Sequence, residues 1–477
     1  TIQLERLHFQ IDTNNPIYNT FLSVDRITQD YIKGRSFKMI STKLKDTLYF
    51  RSEFTNESKD KTPFEINFYH TMSVDGTSSF GFKRTKFPLG KETWILNPDD
   101  TSNQKISYNA KTKQIIITDL LAVTDDQLIE LSGAYYNKDK FNIDLEVQNI
   151  LLENLLPDSR VFQQLGSADL DLAISRSAGT NELDISANID DWNINGQQLG
   201  QFDFNAIGNT LMNTYLVSFN LEKDLKKEIS AKGIWQGLED PSLNLNISFD
   251  SLNLNFLSPL GKDAIKNIAG RITGDVNLWG SLNKLNHNGY LNLEDAKITI
   301  PYLNIDYEAE TTLVDLSNQD FNFKETKLFD SAEGTSALLN GKLSHLNFRD
   351  WSLDMNIDSD RMLLLNTPKD SESLFFGKGF LDGNLNLSGP TKNLKISLKG
   401  STKEGTSIKI PWAESYGLSD NDFIEFIDKN KQYVKDFKSE EKVLKEIRGL
   451  EMDFELDLTN EASIEIVIDQ ETGSYLS

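Results

Sequence analysis

The sequence predicts an all-β protein: an elongated, repetitive, curled antiparallel sheet with an apolar groove. A few short helices and one helical insertion near 420–448 are expected beside it. Three observations lead there: strict period-2 alternation of apolar and polar residues, closely spaced turn signals, and a long internal repeat.

The alternation is clearest where Leu243, Leu245, Ile247 and Phe249 interleave with Asn244, Asn246 and Ser248. Leu252, Leu254 and Phe256 are read as continuing the same strand, with Asn253 and Asn255 between them. The texture returns at Ile272–Leu278, Leu381–Leu387, Leu394–Leu398 and Ile464–Ile468. Asn, Asp and Ser are poor strand formers, so pattern rather than propensity sets these strands. One face of the sheet must be dry and the other wet.

Asn137-Lys138-Asp139, Asp382-Gly383, Gly389-Pro390 and Asp75-Gly76 mark short turns, as a meander of hairpins requires. The repeat runs over longer distances. Ile143, Leu145 and Val147 precede Pro157, Gly166 and the alternating Ala168–Ile174. Leu245, Ile247 and Phe249 precede Pro259, Gly270 and Ile272–Leu278 in the same order. Leu353, Met355 and Ile357 precede Pro368, Gly379 and Leu381–Leu387. An ordered set of strand, Pro, Gly and strand in triplicate points to duplication.

Each repeat also carries a short apolar segment read as a helical turn: Leu151–Leu156 with Phe162, Leu257–Ile268, and Met362–Leu365 with Leu374–Phe376. A longer helix is expected from Asp420 to Arg448, where Phe423, Ile424, Phe426, Ile427, Val434 and Phe437 fall at helical spacings. Ser419 or Asp420 caps its start and Gly449 its end. The expected organisation is therefore 1–140 as the first part of the groove, 141–376 as its repeat-bearing part, and 377–419 as its continuation. The helical insertion at 420–448 and a final β segment at 449–477 complete it.

At typical strand and turn lengths 477 residues hold on the order of 30 strands. A closed barrel of that size would leave a wide lumen, and a flat sheet would curl or split. No Pro/Gly/Ser-rich linker divides the chain into separate sandwiches. A curled sheet with an apolar inner wall fits best, because a bare apolar face of that extent is not left in water.

Composition narrows the functional classes. Lys and Arg number 49 against 72 Asp and Glu, a net charge of −23, which repels phosphate backbones and argues against nucleic acid as a partner. The absence of cysteine removes disulfides, thiolate metal sites and cysteine nucleophiles. His8, His70, His287 and His345 have no ligand partner at helical spacing and read as polar strand or turn positions. Ser281-x-x-Lys284 lacks its companion motifs, and no phosphate-cradling loop or nucleophile elbow occurs. Asp99-Asp100 and Asp190-Asp191 read as turn and solvation residues. Trp94, Trp192, Trp235, Trp279, Trp351 and Trp412 are scattered and read as anchors of strand edges or of the groove rim. The sequence therefore offers no catalytic constellation and calls for no cofactor or metal; an enzyme is not expected. No apolar run is long enough to span a membrane, and the chain is read as a segment of a longer protein.

Certain motifs resemble a known family. Gly270–Pro301 contains Gly270, Gly274, an alternating strand, Gly280, Gly289-Tyr290-Leu291-Asn292-Leu293 and Ile300-Pro301. It resembles the repeats of TamB and the AsmA-like envelope proteins. Leu458-Thr459-Asn460-Glu461-Ala462, followed by Ile464, Ile466, Ile468, Asp469 and Gly473, resembles the opening of the TamB C-terminal domain. Phe87–Pro98, with Trp94-Ile95-Leu96-Asn97-Pro98, and Leu131-Ser132-Gly133 resemble the Bacteroidetes-type branch. The resemblance spans most of the chain from about residue 35.

It implies a periplasmic protein of a Gram-negative cell, tethered to the inner membrane through an anchor outside this segment and paired with an outer-membrane barrel of the TamA (Omp85) type. It also implies a role in phospholipid transport between the membranes or in assembly of outer-membrane proteins. The Gly-rich strands expected after Gly473 are missing, and the 420–448 helix exceeds what a simple groove needs.

On this reading the working surface is the apolar face itself. Phospholipid acyl chains would lie along Ile143, Leu145, Val147, Leu245, Ile247, Phe249, Leu252, Leu254, Phe256, Val276 and Leu278. The lining would continue through Leu353, Met355, Ile357, Leu385, Leu387, Ile396, Leu398, Ile464, Ile466 and Ile468. Phe423, Ile427, Val434 and Phe437 would form a lid or partner-binding helix. The rival reading is a chaperone whose sheet edges template incoming strands.

Overall fold

In a computed structural model the chain is all-β, with 31 strands, one short α-helix and one 3-10 helix among the described residues. These are residues 3–476 without 13, 16–18, 29–32, 57–62, 90–91, 156–162, 178, 210–213, 238–240, 262–264, 369–375, 412–449 and 470–473. The expected helix at 420–448, with Phe423, Ile427, Val434 and Phe437, lies outside them. The chain divides into two compact units, one of residues 1–252 and 277–282, the other of 253–276 and 283–477.

The first unit opens with β1 (Gln3–Glu5) and β2 (His8–Ile11), both paired to β3 (Thr20–Thr28). β4 (Lys33–Leu44), β5 (Thr47–Asn56) and β6 (Pro63–Met72) follow as a meander. Short strands then branch: β7 (Thr77–Phe82), β8 (Thr85–Leu89), β9 (Glu92–Leu96) and β10 (Lys105–Asn109). From β11 (Gln114–Thr124) each strand pairs antiparallel with the next: β12 (Gln127–Asn137), β13 (Lys140–Leu151), β14 (Gln164–Ser177) and β15 (Thr180–Ile194). The run continues through β16 (Gln197–Asn209), β17 (Thr214–Lys223), β18 (Lys226–Gln236) and β19 (Ser242–Asn253). Helix α1 (Leu152–Leu155) follows β13, where a helical turn is expected.

The second unit holds the 3-10 helix Asn255–Gly261 and the first part of β20 (Lys266–Ser281). A meander follows: β21 (Lys284–Ile300), β22 (Ile305–Asn318), β23 (Asp320–Asp330), β24 (Ser336–Leu346), β25 (Arg349–Thr367), β26 (Phe376–Pro390) and β27 (Leu394–Thr402). β28 (Ser407–Pro411), β29 (Leu450–Asp457), β30 (Ser463–Asp469) and β31 (Ser474–Leu476) end it.

Three local expectations need correction. The strand through Leu245 stops at Asn253, and Phe256 lies in the 3-10 helix. Ser251, at φ 67°, bends the chain out of extended geometry there. Met362–Leu365 is not a helical turn but part of β25, where register shifts after Ser359 and Leu363 bring consecutive apolar residues inward. The sheet is also not wholly antiparallel: β29 runs parallel to β27, and β30 parallel to β28.

Bulges curl the sheet. Register shifts fall between Ile117 and Leu120, Val147 and Ile150, Ile189 and Trp192, and Phe323 and Thr326. Within them sit Asp119, Asn149, Asp191 and Glu325, all at positive φ between 41° and 55°. Asp and Asn tolerate this left-handed region better than other residues with a Cβ. A bulge bends its strand and adds twist, so one on every second strand of β11, β13 and β15 rolls that run. The freed amides are recaptured from the next strand: Asn149 N–H donates to Asp169 Oδ1 at 2.6 Å, and Glu325 N–H to Asn340 Oδ1 at 2.8 Å.

In the second unit the roll brings strands three apart into contact. The Asn366 N–H donates to the Leu303 carbonyl at 2.9 Å, and Asn304 Nδ2 to the Asn366 carbonyl at 2.7 Å. Ile305, Tyr307, Ala337, Met362, Leu363 and Phe380 fill the space between as one buried cluster. Beside it Asp330, 2% exposed, accepts backbone N–H bonds from Ala332, Glu333 and Thr335, while Thr335 Oγ1 accepts from the Leu363 N–H at 2.8 Å.

Candidate functional site: a one-sided apolar face

Strand register places the predicted residues on shared faces. In the first unit one row of directly opposed residues runs Ala122, Ile129, Val147, Leu170, Ala187, Phe204, Phe219, Ala231, Ile247. The adjacent row on the same face runs Leu120, Leu131, Leu145, Leu172, Ile185, Ala206, Val217, Gly233, Leu245. Ile143 opposes Ile174 in a third row and is 39% exposed. Phe249 opposes Ile229 on this face. Leu278 packs with Ala206, Val217 and Leu245 in a common cluster.

The other face of these strands is mostly polar, apart from Ile207, Leu216 and Ile234, which oppose one another there and are exposed at 59%, 61% and 39%. Glu130, Glu146, Asp171, Ser186, Asn205, Ser218, Lys232 and Asn246 form one of its rows. Asn277 donates to Asn244 Oδ1 at 2.8 Å and to Asn246 Oδ1 at 3.1 Å, an amide ladder on the wet side.

The second unit repeats the arrangement. Leu291, Val314, Phe323, Gly341, Met355, Leu387, Ile396 and Met452 form one row. Thr326, Leu339, Ile357, Leu385, Leu398 and Phe454 form the next, and Leu353 joins Leu343 and Phe321 in a third. Val276 is buried at 8% exposure. Ile464 opposes Ile408 and Ile466 opposes Ile410 across the parallel pair, and Ile468 lies in β30. Leu252 is buried, whereas Leu254 and Phe256, past the strand end, are half-buried and outside the rows.

Gly341 shows how tight these rows are. At φ 140° it occupies a region closed to other residues, and an added Cβ would lie 2.2 Å from the Asp354 carbonyl oxygen.

Sequence reasoning missed two histidines. His287 and His345, read as polar strand or turn positions, are strand residues, but they are buried at 1% and 5% exposure on the apolar face, with Nε2 atoms 2.8 Å apart. Their signal was parity: His287 keeps step with Gly289 and Leu291, and His345 with Leu343. Burial, then the neighbouring His345, pushes the His287 ring down to about 4. His345 is lowered too, again by burial. Trp94, read as an edge anchor, is instead a core residue, 2% exposed against Ala122 and Ile150.

No group of three or more His, Asp or Glu side chains is placed to hold a metal among the described residues. No helix among them is long and apolar enough to cross a membrane.

Fold and face together define a class: a repetitive β protein whose strands present one apolar and one polar surface. Residues 325–477 match the family model of the TamB C-terminal domain. That part of the chain therefore carries a TamB C-terminal domain, a domain of envelope-associated proteins with roles in membrane assembly or lipid transport in general. No curated protein and no solved structure matches it.

Proposed function

We propose that the apolar face is the conducting surface of a non-enzymatic lipid-transfer bridge across the periplasm, carrying phospholipid between inner and outer membranes. The observation that carries the reading is the unbroken apolar row from Ala122 to Ile247, one residue per strand and confined to one face. An acyl chain laid across such rows meets apolar side chains at each strand spacing, and each CH₂ it buries contributes about 0.8 kcal/mol. Headgroups stay at the rim, where Ile143 and Tyr135 are exposed at 39% and 42%. An anchor in the inner membrane and an outer-membrane barrel of the TamA (Omp85) type would complete the path. The acidic polar face disfavours nucleic acid.

Mass spectrometry of lipid co-purified under gentle extraction tests this. Phospholipid is expected with the unaltered chain, and Phe249→Glu should reduce it while the circular dichroism stays that of a β protein. No lipid with the unaltered chain, or undiminished lipid in the variant, would sink the reading.

A second reading, a chaperone for outer-membrane protein assembly, is favoured by β29. Its described pairing is with β27 alone, and Phe454 and Leu456 stand 54% and 41% exposed. Crosslinks to client strands would then map to the backbone edge of β29 rather than to the apolar rows of β11–β19.

A further inference from the structure

His287 on β21 and His345 on β24 stand three strands apart, yet their rings meet. Phe321 lies 4.7 Å from His287, and Phe348 and Trp351 lie 4.3 and 5.0 Å from His345, measured between ring centroids. The Phe348 backbone N–H donates to His345 Nδ1 at 3.0 Å. In a neutral ring this leaves the His345 proton on Nε2, which then donates to His287 Nε2. His287 must carry its own proton on Nδ1, a buried atom with no hydrogen-bond partner. The same assignment keeps a metal ion from sitting between the rings, since the His345 Nε2 lone pair is taken by its proton.

Every added proton breaks this arrangement. On His287 Nε2 it faces the His345 N–H, and on His345 Nδ1 it faces the Phe348 N–H. Asp320 on β23 is the carboxylate whose charge reaches both rings, and Lys342 of β24 engages it at 3.1 Å. β22 places uncharged Asn318 opposite His287, and β25 contributes Trp351. Around the pair, Leu285 N–H donates to Asn347 Oδ1 at 3.1 Å, and His345 N–H to the Gln319 carbonyl at 3.0 Å. The other end of the same curl is tied by Asn304 and Asn366, which do not titrate.

We propose that the His287–His345 pair is an acid-labile clasp. It holds one end of the β21–β25 curl shut while both rings are neutral and releases it when either is protonated, the far end staying tied. The sign follows from the ring environments: both are lowered from an unfolded value near 6.5, His287 to about 4. The clasp therefore contributes fully above pH 6.5 and is lost as pH falls toward 4. It is a property of the fold and does not rest on what the apolar face carries.

Hydrogen exchange of the full chain, corrected for the intrinsic pH dependence of exchange, tests it. Between pH 7.5 and 4, the amides of Leu285 and His345 should lose protection about tenfold relative to Asn366. His287→Phe, which keeps the ring packing and removes the titrating partner, should abolish the relative step. Equal change at both ends, no change at either, or a step that survives in His287→Phe would overturn the clasp. If that variant does not fold, the comparison of the two ends in the unaltered chain decides alone.

Discussion

Tyr307 donates its phenol hydrogen to the Leu363 carbonyl oxygen at 2.9 Å, bridging β22 and β25 across the two strands between them. The side chain is 6% exposed, and burial pushes its phenol above the ordinary range, so it stays a donor at neutral and acid pH. Tyr307→Phe keeps the ring in the Ile305–Phe380 cluster and removes only the bond. A loss of about 1 kcal/mol is expected, read as a lower urea midpoint at unchanged slope for the transition reporting this region. An unmoved midpoint would mean that packing alone holds the curl.

The polar face of the same region has its own acid response. Asp306 is held below the ordinary carboxylate range first by the Thr299 hydroxyl and also by Lys297, at 3.1 Å. Glu308 is held low by Ser331 and then by Lys297, at 3.2 Å. Carboxylates with depressed folded values contribute stability above their unfolded values and lose it as pH falls through the folded ones. This window lies below that of the histidines. Thr299→Val should shallow the fall in stability below about pH 4 and leave the pH 6.5–4 region unchanged. Urea midpoints measured at half-unit pH steps separate the two.

Period 2 made the dry face legible, because register carries alternation from strand to strand: Leu145, Leu172, Ile185 and Ala206 need only be apolar in step. The curl was legible only as a need to cover that face. Its device, the left-handed Asn149 or Asp191 inside a strand, reads in the sequence like any other wet-face residue. Met362-Leu363-Leu364-Leu365 looked helical because a bulge puts neighbours on the same side, which alternation does not anticipate. The histidine pair depends on a contact across 58 residues, which local pattern cannot carry. Strand direction was equally hidden, since alternation is the same for β29 whether it runs with β27 or against it.

That parallel pairing is marked by charge. Lys395 opposes Glu451, Lys399 opposes Glu455, and β28 sets Lys409 against Glu465, each pair bonded at 3.0 Å. Between the two β27–β29 pairs lies an apolar rung, Leu398 on Phe454. A one-residue slip would put Lys beside an apolar residue, so the ladder selects register more than it adds stability. Lys399→Glu should speed exchange of the β29 amides by roughly two- to fivefold, and Lys399→Glu with Glu455→Lys should restore it. Failure of the double variant to recover would show that the pair does not set the register.

The bulge on β13 gives the sharpest test of how the sheet is curled. Asn149 sits at φ 55°, its N–H bonded to Asp169 and its side chain donating to the Asp126 carbonyl at 3.3 Å. The bulge turns Ile150, 1% exposed, into the cluster with Trp94 and Ala122. Asn149→Gly keeps the left-handed backbone and loses only the side-chain bond, so a cost of about 1 kcal/mol is expected. Asn149→Val forces a β-branched residue into that region at about 1–3 kcal/mol, in addition to the lost bond. If the strand escapes by straightening, Ile150 leaves its cluster and Trp94 gains solvent, which a red shift and iodide quenching of its fluorescence would report. Valine tolerated as well as glycine, with Trp94 still shielded, would mean that the curl of this strand does not depend on the left-handed residue.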